Sequence, residues 1–143
     1  MTVTTDQLRK APLLSDLDER ELAQIVGCFT LVSILEGETL YSEGEPAKSA
    51  CFLIEGELEA FTALPGGGET RVGSIAPGAM IGEMALMAGG SRTATVRAKS
   101  DAAALMVSCT FFQASLDQLS VPAYKILRRV TQGLSEQIGR AHV

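Results

Sequence analysis

Between about residue 30 and residue 109 the chain is cut into short apolar or alternating runs by Gly, Pro and Glu-Gly pairs. Short runs bounded by such turn residues are typical of strands, and several in succession predict an antiparallel roll or barrel. In one run, apolar side chains occupy the even positions Phe52, Ile54, Leu58 and Ala60, and acids occupy the odd positions Glu55, Glu57 and Glu59. Successive strand side chains point to opposite faces, so we expect one buried face and one acidic, solvated face.

Helical spacing appears on both sides of this region. Apolar residues on one face predict a helix over 16–28, with Ser15 or Asp16 as its cap. Residues 110–119 are predicted to form another helix, and a last helix starts near Ser120 with Pro122 in its first turn. The apolar stripe of the last helix consists of Tyr124, Leu127, Val130, Leu134 and Ile138.

Composition and charge narrow the classes of function. A chain of 143 residues with 46% hydrophobic and 20% charged residues is expected to fold as one domain. Its net charge of -5 argues against a nucleic-acid partner, which usually requires a basic face. No apolar run reaches the length of a membrane span, and the polar start does not resemble a secretory signal. We therefore expect a cytoplasmic protein.

Cysteine and histidine usage gives little support to an enzyme or a metal protein. Cys28, Cys51 and Cys109 are widely spaced and lack paired motifs, so we expect reduced thiols. His142 is the single histidine, which leaves a metal site or a nucleophilic triad almost without ligands. A hydrolytic phosphodiesterase would need such ligands, so the enzyme class is the weakest hypothesis and no metal is expected.

Arg92 is the residue whose position most needs an explanation. In the run from Arg92 to Lys99 the even positions are otherwise apolar, so strand alternation predicts that Arg92 points inward. A buried guanidinium is costly unless it is paired, and it therefore requires an anion. An internal carboxylate and a ligand phosphate are both compatible with this pattern.

The residues before Arg92 favour the phosphate. Gly82 allows a backbone N–H to approach a ligand, and residues 83–87 suit a short helical turn whose first N–H groups attract anions. Glu83 would repel a phosphate and must face a donor, and a ribose 2'-hydroxyl is one. A structural ion pair between Glu83 and Arg92 is the alternative.

The segment Gly-Glu-Met-Ala-Leu, five residues, then Arg-Thr-Ala-Thr-Val resembles the phosphate-binding cassette of cyclic nucleotide-binding domains. That family includes the catabolite activator protein and the regulatory subunits of cyclic-nucleotide-dependent kinases. The resemblance extends upstream through the glycine-marked segments 36–47 and 52–58 and the turn Pro77-Gly78. It covers nearly the whole chain, from about residue 8 to about residue 140.

The resemblance implies a fold and a set of site residues. The fold is α+β, mainly β: an antiparallel β-roll or jelly roll of about eight strands, an N-terminal helix, a short phosphate-binding helix and two C-terminal helices. One domain would span 1–143, with an N-terminal helical part at 1–29, a roll at 30–109 that contains the cassette 81–94, and C-terminal helices at 110–143. The implied ligand-binding residues are Gly82, Glu83, Met84, Ala85, Arg92 and Thr93. Val72 and Ile81 are expected to contact the base.

The function that this resemblance implies is sensing. Family members that bind DNA carry a helix-turn-helix after the last helix, and channel members carry membrane helices before the domain; this sequence shows neither. We expect a stand-alone sensor that binds cAMP, with cGMP as second choice, and relays occupancy through the C-terminal helix to a protein partner. The alternative is an interaction scaffold of the same fold that binds no nucleotide. The last helix either covers the base as a lid or pairs with a second copy, and we expect the lid and a monomer.

Overall fold

A computed structural model describes residues 3–82, 89–118 and 120–141, with residues 133–141 described by their backbone alone. The helices in these ranges are α1 (Thr5–Leu8), α2 (Glu19–Ile25), α3 (Cys109–Asp117) and α4 (Val121–Ala141). Two short 3-10 turns, Pro12–Leu14 and Val26–Cys28, lie before the first strand. The predicted phosphate-binding helix falls outside the described residues.

Eight strands occur in the described part of the chain, which confirms the predicted β-roll of about eight strands. They are β1 (Phe29–Ile34), β2 (Thr39–Tyr41), β3 (Ser49–Glu55), β4 (Leu58–Ala63), β5 (Glu69–Ile75), β6 (Met80–Ile81), β7 (Thr95–Ala98) and β8 (Ala102–Ser108). One sheet has the order β1-β8-β3-β6 and the other β2-β7-β4-β5, with every pairing antiparallel. The division of the chain into N-terminal, roll and C-terminal parts stays a prediction.

The sheet that contains β3 and β8 is buried on both faces. Phe52 and Leu105 pack in a cluster with the helices, whereas Cys51, Leu53 and Ala104 pack in a second cluster inside the roll. This differs from the simple in-and-out pattern expected for the run that starts at Phe52, because the helices cover the outer face of this sheet. One wall of the roll is therefore in contact with the helices.

Helix α2, which corresponds to the helix predicted over 16–28, begins later than predicted. Its cap is Asp18, whose side chain accepts a hydrogen bond from the Glu21 N–H while the Glu21 carboxylate accepts one from the Asp18 N–H. This reciprocal capping box satisfies two backbone donors at once, which neither Ser15 nor Asp16 does. The cap assigned to Ser15 or Asp16 was therefore wrong.

Helix α4 is rotated relative to the predicted apolar stripe, of which Val130 is buried and Leu127 is half-buried. Ala123, Ile126 and Val130 pack in the cluster beneath the helices, while Tyr124 is 62% exposed. Ion pairs beside this face join Lys125 to Glu21 at 2.8 Å and Arg129 to Asp16 at 3.8 Å, and the Lys125 hydrogen bond lowers the pKa of Glu21. The predicted positions Leu134 and Ile138 lie outside the described side chains.

Candidate functional site

A cavity of about 310 Å³ opens inside the roll beside Arg92. Its wall is made by β6, by the segment 89–94 and by single residues of the strands β2, β4, β5 and β7. The lining residues are Tyr41, Ala47, Ala60, Ile75, Met80, Ile81, Gly82, Gly89, Ser91, Arg92, Thr93, Ala94 and Val96. A largely apolar wall with few polar groups is the usual composition of a small-molecule site.

Backbone hydrogen bonds fix the position of Arg92 before its side chain is considered. The Arg92 N–H donates to the Glu45 carbonyl at 2.8 Å, and the Arg92 carbonyl accepts from the Gly44 N–H at 2.8 Å. Pro46 and Ser91 form an isolated antiparallel bridge next to them. The turn at residues 44–47 therefore holds the backbone at Arg92 in place.

The Arg92 guanidinium points inward, as strand alternation predicted, and the residue is 8% exposed. Its Nη2 donates to the Ser49 carbonyl at 2.7 Å and lies 3.4 Å from the Ser49 hydroxyl. Its Nε is buried and has no hydrogen-bond partner among the described residues. Within that part of the chain no carboxylate forms an ion pair with Arg92.

Two weakly acidic side chains near Arg92, Tyr41 and Cys51, are neutral at physiological pH. Burial raises the pKa of Tyr41 well above its ordinary value. Burial also raises the pKa of the Cys51 thiol to about 11, although the Tyr41 hydrogen bond and the Arg92 charge act in the opposite direction. Neither group therefore supplies a negative charge to Arg92, whose positive charge faces the cavity unneutralised by them.

Gly82 stands where a side chain would strike the arginine. Its φ is +78°, a conformation that L side chains rarely adopt. A Cβ at this position would collide with Arg92 Nη1 and lie 3.2 Å from the Ser49 carbonyl oxygen. Glycine therefore allows the backbone at the end of β6 and the guanidinium to lie side by side.

Of the predicted site residues, Ile81, Gly82, Arg92 and Thr93 lie together around the cavity. Glu83, Met84 and Ala85 lie outside the described residues. Val72 is 55% exposed on β5 and is absent from the residues that line the cavity, whereas Ile75 on the same strand lines it. Of the two, Ile75 is therefore the β5 residue that a molecule in the cavity would contact.

Sequence reasoning missed several lining residues, of which Tyr41 and Met80 matter most. Tyr41 belongs to a strand of three residues, too short for an alternation pattern to assign a face. Met80 directly precedes Ile81, a residue already expected at the base. Adjacency to Ile81 gave no signal, because successive strand residues point to opposite faces.

The family model of the cyclic nucleotide-binding domain matches residues 31–118. The chain belongs to the cyclic nucleotide-binding domain family. This confirms the resemblance drawn from the cassette and the upstream glycine segments. The matched range includes every lining residue of the cavity.

Two curated relatives are much longer than this chain. The chain is 34% identical over 122 residues to the cAMP-dependent protein kinase regulatory subunit of Emericella nidulans, a match that covers 85% of this chain and 28% of that protein. It is 29% identical over 133 residues to human cGMP-dependent protein kinase 2, covering 93% of this chain and 15% of that protein. The chain therefore spans less than a third of the length of either relative.

Among solved structures, the N-terminal domain of a transcriptional regulator from Streptomyces coelicolor A3(2) is similar over its whole length. The TM-score is 0.80 at 29% identity, and the match covers 96% of each chain.

The described residues contain neither a candidate membrane span nor a candidate metal cluster. None of their helices is both long enough and apolar enough to cross a bilayer. Within the same ranges, no three His, Cys, Asp or Glu side chains lie closely enough together to hold a metal ion.

Proposed function

We propose that this chain is a binding module rather than an enzyme, which takes up cAMP in the roll cavity and relays its occupancy through the C-terminal helix to a protein partner. The observation that carries the proposal is the Arg92 guanidinium, which is buried at the cavity wall without a carboxylate partner in the described part of the chain. A buried charge of this kind is strongly stabilised by an anion. The phosphate of a cyclic nucleotide supplies that anion.

The residues around the cavity fit the separate parts of such a ligand. Arg92 presents a planar fork suited to two phosphate oxygens, and its unpartnered Nε is a buried donor. Ile75, Ile81 and Val96 supply apolar surface for a purine. The cavity volume of about 310 Å³ lies at the lower end of the range for small-molecule sites.

The ribose contact is assigned to Glu83, and further cassette contacts to Met84 and Ala85, on the strength of the resemblance. Gly82, which immediately precedes them, lies at the cavity beside Arg92. A carboxylate accepts hydrogen bonds, so Glu83 is suited to a ribose hydroxyl and unsuited to the phosphate. This division of roles places one charge of each sign at the two ends of the ribose phosphate.

The choice of cAMP over cGMP rests on the relatives. The 34% identical relative is named as a cAMP-dependent regulatory subunit, and the cGMP-dependent kinase is 29% identical. Thr93 lines the cavity beside Arg92 and supplies a hydroxyl near the ligand. Because a hydroxyl at this position suits either base, cGMP is the second choice.

The packing between the cavity and α4 supports the proposed relay. Met80 lines the cavity and also packs against the cluster beneath the helices. Ile126 and Val130 of α4 belong to that same cluster. Occupancy that shifts β6 would therefore change the surface on which α4 rests. We propose that the protein acts as a cytoplasmic monomer and presents this change to its partner.

The proposed lid requires one adjustment. None of the described α4 side chains, which end at residue 132, lines the cavity. The part of α4 up to that point packs on the N-terminal helices and the outer face of the roll. Any contact from α4 to the base must therefore come from residues after 132.

A thermal-shift assay with cAMP, cGMP and linear 5'-AMP tests the proposal. A ligand at about 100 times its Kd adds about 2.7 kcal/mol to the free energy of unfolding. For a chain of this size that raises Tm by about 5–10 °C. We expect this shift with cAMP, a smaller one with cGMP and little with 5'-AMP. An unchanged Tm with both cyclic nucleotides would contradict the proposal and favour the scaffold without a ligand.

A further inference from the structure

The Arg92 guanidinium lies over an aromatic ring. Its Cζ is 3.5 Å from the centroid of the Tyr41 ring. Tyr41 is 6% exposed and comes from β2, which pairs with β7. A cation over the face of an aromatic ring is attracted by the ring quadrupole, and more strongly where water is excluded.

The ring itself is held in place by hydrogen bonds. The Tyr41 hydroxyl lies 2.9 Å from the Ser49 hydroxyl and 2.9 Å from the Cys51 sulfur. The carbonyl of the same Ser49 accepts the hydrogen bond from Arg92 Nη2 at 2.7 Å. Tyr41, Ser49 and Arg92 therefore form a closed cluster, in which β3 fixes both the ring and one edge of the guanidinium.

This arrangement stabilises a buried cation without an anion. A carboxylate in the place of Tyr41 would neutralise Arg92 and would then repel an incoming phosphate. An aromatic ring and a backbone carbonyl lower the cost of burying the charge while leaving the net charge of the cluster at the cavity positive. Neutral Tyr41 and Cys51 are consistent with this, since burial raises the pKa of both.

We propose that Tyr41 is a positioning residue for the anion site: its ring holds the Arg92 guanidinium in the orientation that receives the ligand phosphate. This deepens the proposed function and rests on it. A guanidinium that is fixed before binding loses less side-chain entropy when the ligand binds, so the Tyr41 ring increases affinity through pre-organisation. The effect acts on the phosphate end and is independent of the base.

A double-mutant cycle separates this role from simple core packing. Tyr41→Leu removes the ring, Tyr41→Phe keeps the ring but loses both hydroxyl contacts, and Arg92→Leu removes the charge. We expect Tyr41→Leu to raise the Kd for cAMP and for cGMP by a similar factor of about ten, which corresponds to about 1.4 kcal/mol, and Tyr41→Phe to raise it by much less. Equal affinity of Tyr41→Leu and wild type, in a wild type that does bind, would overturn the role of Tyr41 alone. A wild type that binds neither nucleotide would instead contradict the proposed function.

The same cycle measured on unfolding without ligand tests the stacking directly. If the ring stabilises the cation, Tyr41→Leu lowers the unfolding midpoint in denaturant more in the wild-type background than in the Arg92→Leu background. Equal losses in the two backgrounds would show that Tyr41 only fills space and would overturn the inference.

A measurement on the wild type covers the case in which Tyr41→Leu does not fold. The Arg92 side-chain protons over the ring should show upfield ring-current shifts in NMR spectra of the wild type and of Tyr41→Phe, with assignment by comparison with Arg92→Lys. Ordinary arginine shifts in both proteins would overturn the inference.

Discussion

Arg92 and Arg97 lie close together along the chain and have opposite surroundings. The Arg97 side chain is 36% exposed, pairs with Glu69 at 2.7 Å and lies over the Phe61 ring at 5.1 Å. Arg92 is buried and lies over Tyr41. Its side chain donates to the Ser49 carbonyl, whereas that of Arg97 pairs with the Glu69 carboxylate. The partner set, rather than the residue type, therefore distinguishes Arg92 as the arginine for which we propose a ligand.

Gly82→Ala tests the close approach of backbone and guanidinium. The added Cβ is strained by the φ of +78° and collides with Arg92 Nη1. We expect a loss of stability of about 1–3 kcal/mol from the backbone strain. The collision displaces the guanidinium from the proposed phosphate. Loss of one charge-assisted hydrogen bond to that phosphate costs about 1.5–3 kcal/mol, so cAMP affinity should fall by at least about tenfold in calorimetry.

Gly67→Ala is the matched control for this variant. Gly67 has a φ of +98° with no atom within 4 Å of the added Cβ. It should show a comparable stability loss and normal affinity. A Gly82→Ala protein that binds cAMP as tightly as Gly67→Ala would contradict the close approach.

Cys51 gives the fold an alkaline limit. Its folded-state pKa is about 11 against an ordinary value of 9.0, because burial disfavours the thiolate. Since the folded pKa is raised, the stabilisation is complete below pH 9 and is lost as the pH rises to about 11. A difference of this size is worth about 2–3 kcal/mol.

Denaturant unfolding of wild type and Cys51→Ser at pH 8, 9.5 and 11 measures this limit. Serine keeps a polar group beside the Tyr41 hydroxyl and does not ionise in this range. The wild type should lose more stability across the series than Cys51→Ser does. Parallel pH profiles of the two proteins would show that the thiol does not titrate as a buried group.

Among single residues, the sequence predicted the inward position of Arg92 and gave no indication of the role of Tyr41. Alternation from Val96 and Ala98, which are buried, predicted the inward position of Arg92, although Arg92 lies before the first residue of β7, Thr95. It fails at Thr93, which it turns outward, because the chain bends at residues 93–94 and Thr93 lines the cavity. The stacking of Arg92 on Tyr41 joins β2 to a loop far along the chain, and only the folded topology brings the two together.

Among the elements, α4 is the one whose packing links the roll to the rest of the protein. Its buried residues Ala123, Ile126 and Val130 follow the spacing of one helical face. The neighbouring apolar positions Tyr124 and Leu127 are exposed and half-buried, respectively. Small Ala123 allows close approach, and the ion pairs to Glu21 and Asp16 favour this rotation of the helix.

Ile126→Ala and Tyr124→Ala test this face. Truncation of the buried isoleucine should cost about 2–5 kcal/mol of unfolding free energy, measured by chemical denaturation. Truncation of the exposed tyrosine should change it by at most about 0.5 kcal/mol. A larger loss for Tyr124→Ala than for Ile126→Ala would show that the helix packs with the predicted stripe inward.

Element existence was easier to predict than element detail. Glycine and proline interrupt the roll at its turns, so a series of short antiparallel strands followed from the sequence, whereas their number, about eight, was implied by the family resemblance. The exact cap of α2 depended on the Asp18–Glu21 pair, and the buried face of α4 depended on which neighbours it meets. Periodicity identifies an apolar face on a helix. Where apolar residues cover more than half of the helix circumference, packing determines which of them are buried.

In the molecule as a whole, the cavity, the sheet that contains β3 and β8, and helix α4 pack against one another in that order. The β3 and β8 strands carry roll-interior residues on one face and helix-contacting residues on the other. A ligand that binds one arrangement of these layers better than another shifts the population by that difference in affinity. The sequence identified the family and predicted a phosphate site at Arg92, which stays a prediction, but the wall shared by the cavity and the helices required the fold.

Titration calorimetry of cAMP into wild type, Arg92→Leu and Arg97→Leu is the most direct test of the central claim. Removing the buried guanidinium should cost about 2–5 kcal/mol of binding, a rise in Kd of at least about 30-fold, while Arg97→Leu binds like the wild type. Arg92→Leu should remain folded, because the change removes a buried charge without leaving a carboxylate unpaired in the described residues. Wild-type affinity in Arg92→Leu, or an equal loss in Arg97→Leu, would contradict the assignment of Arg92 to the phosphate.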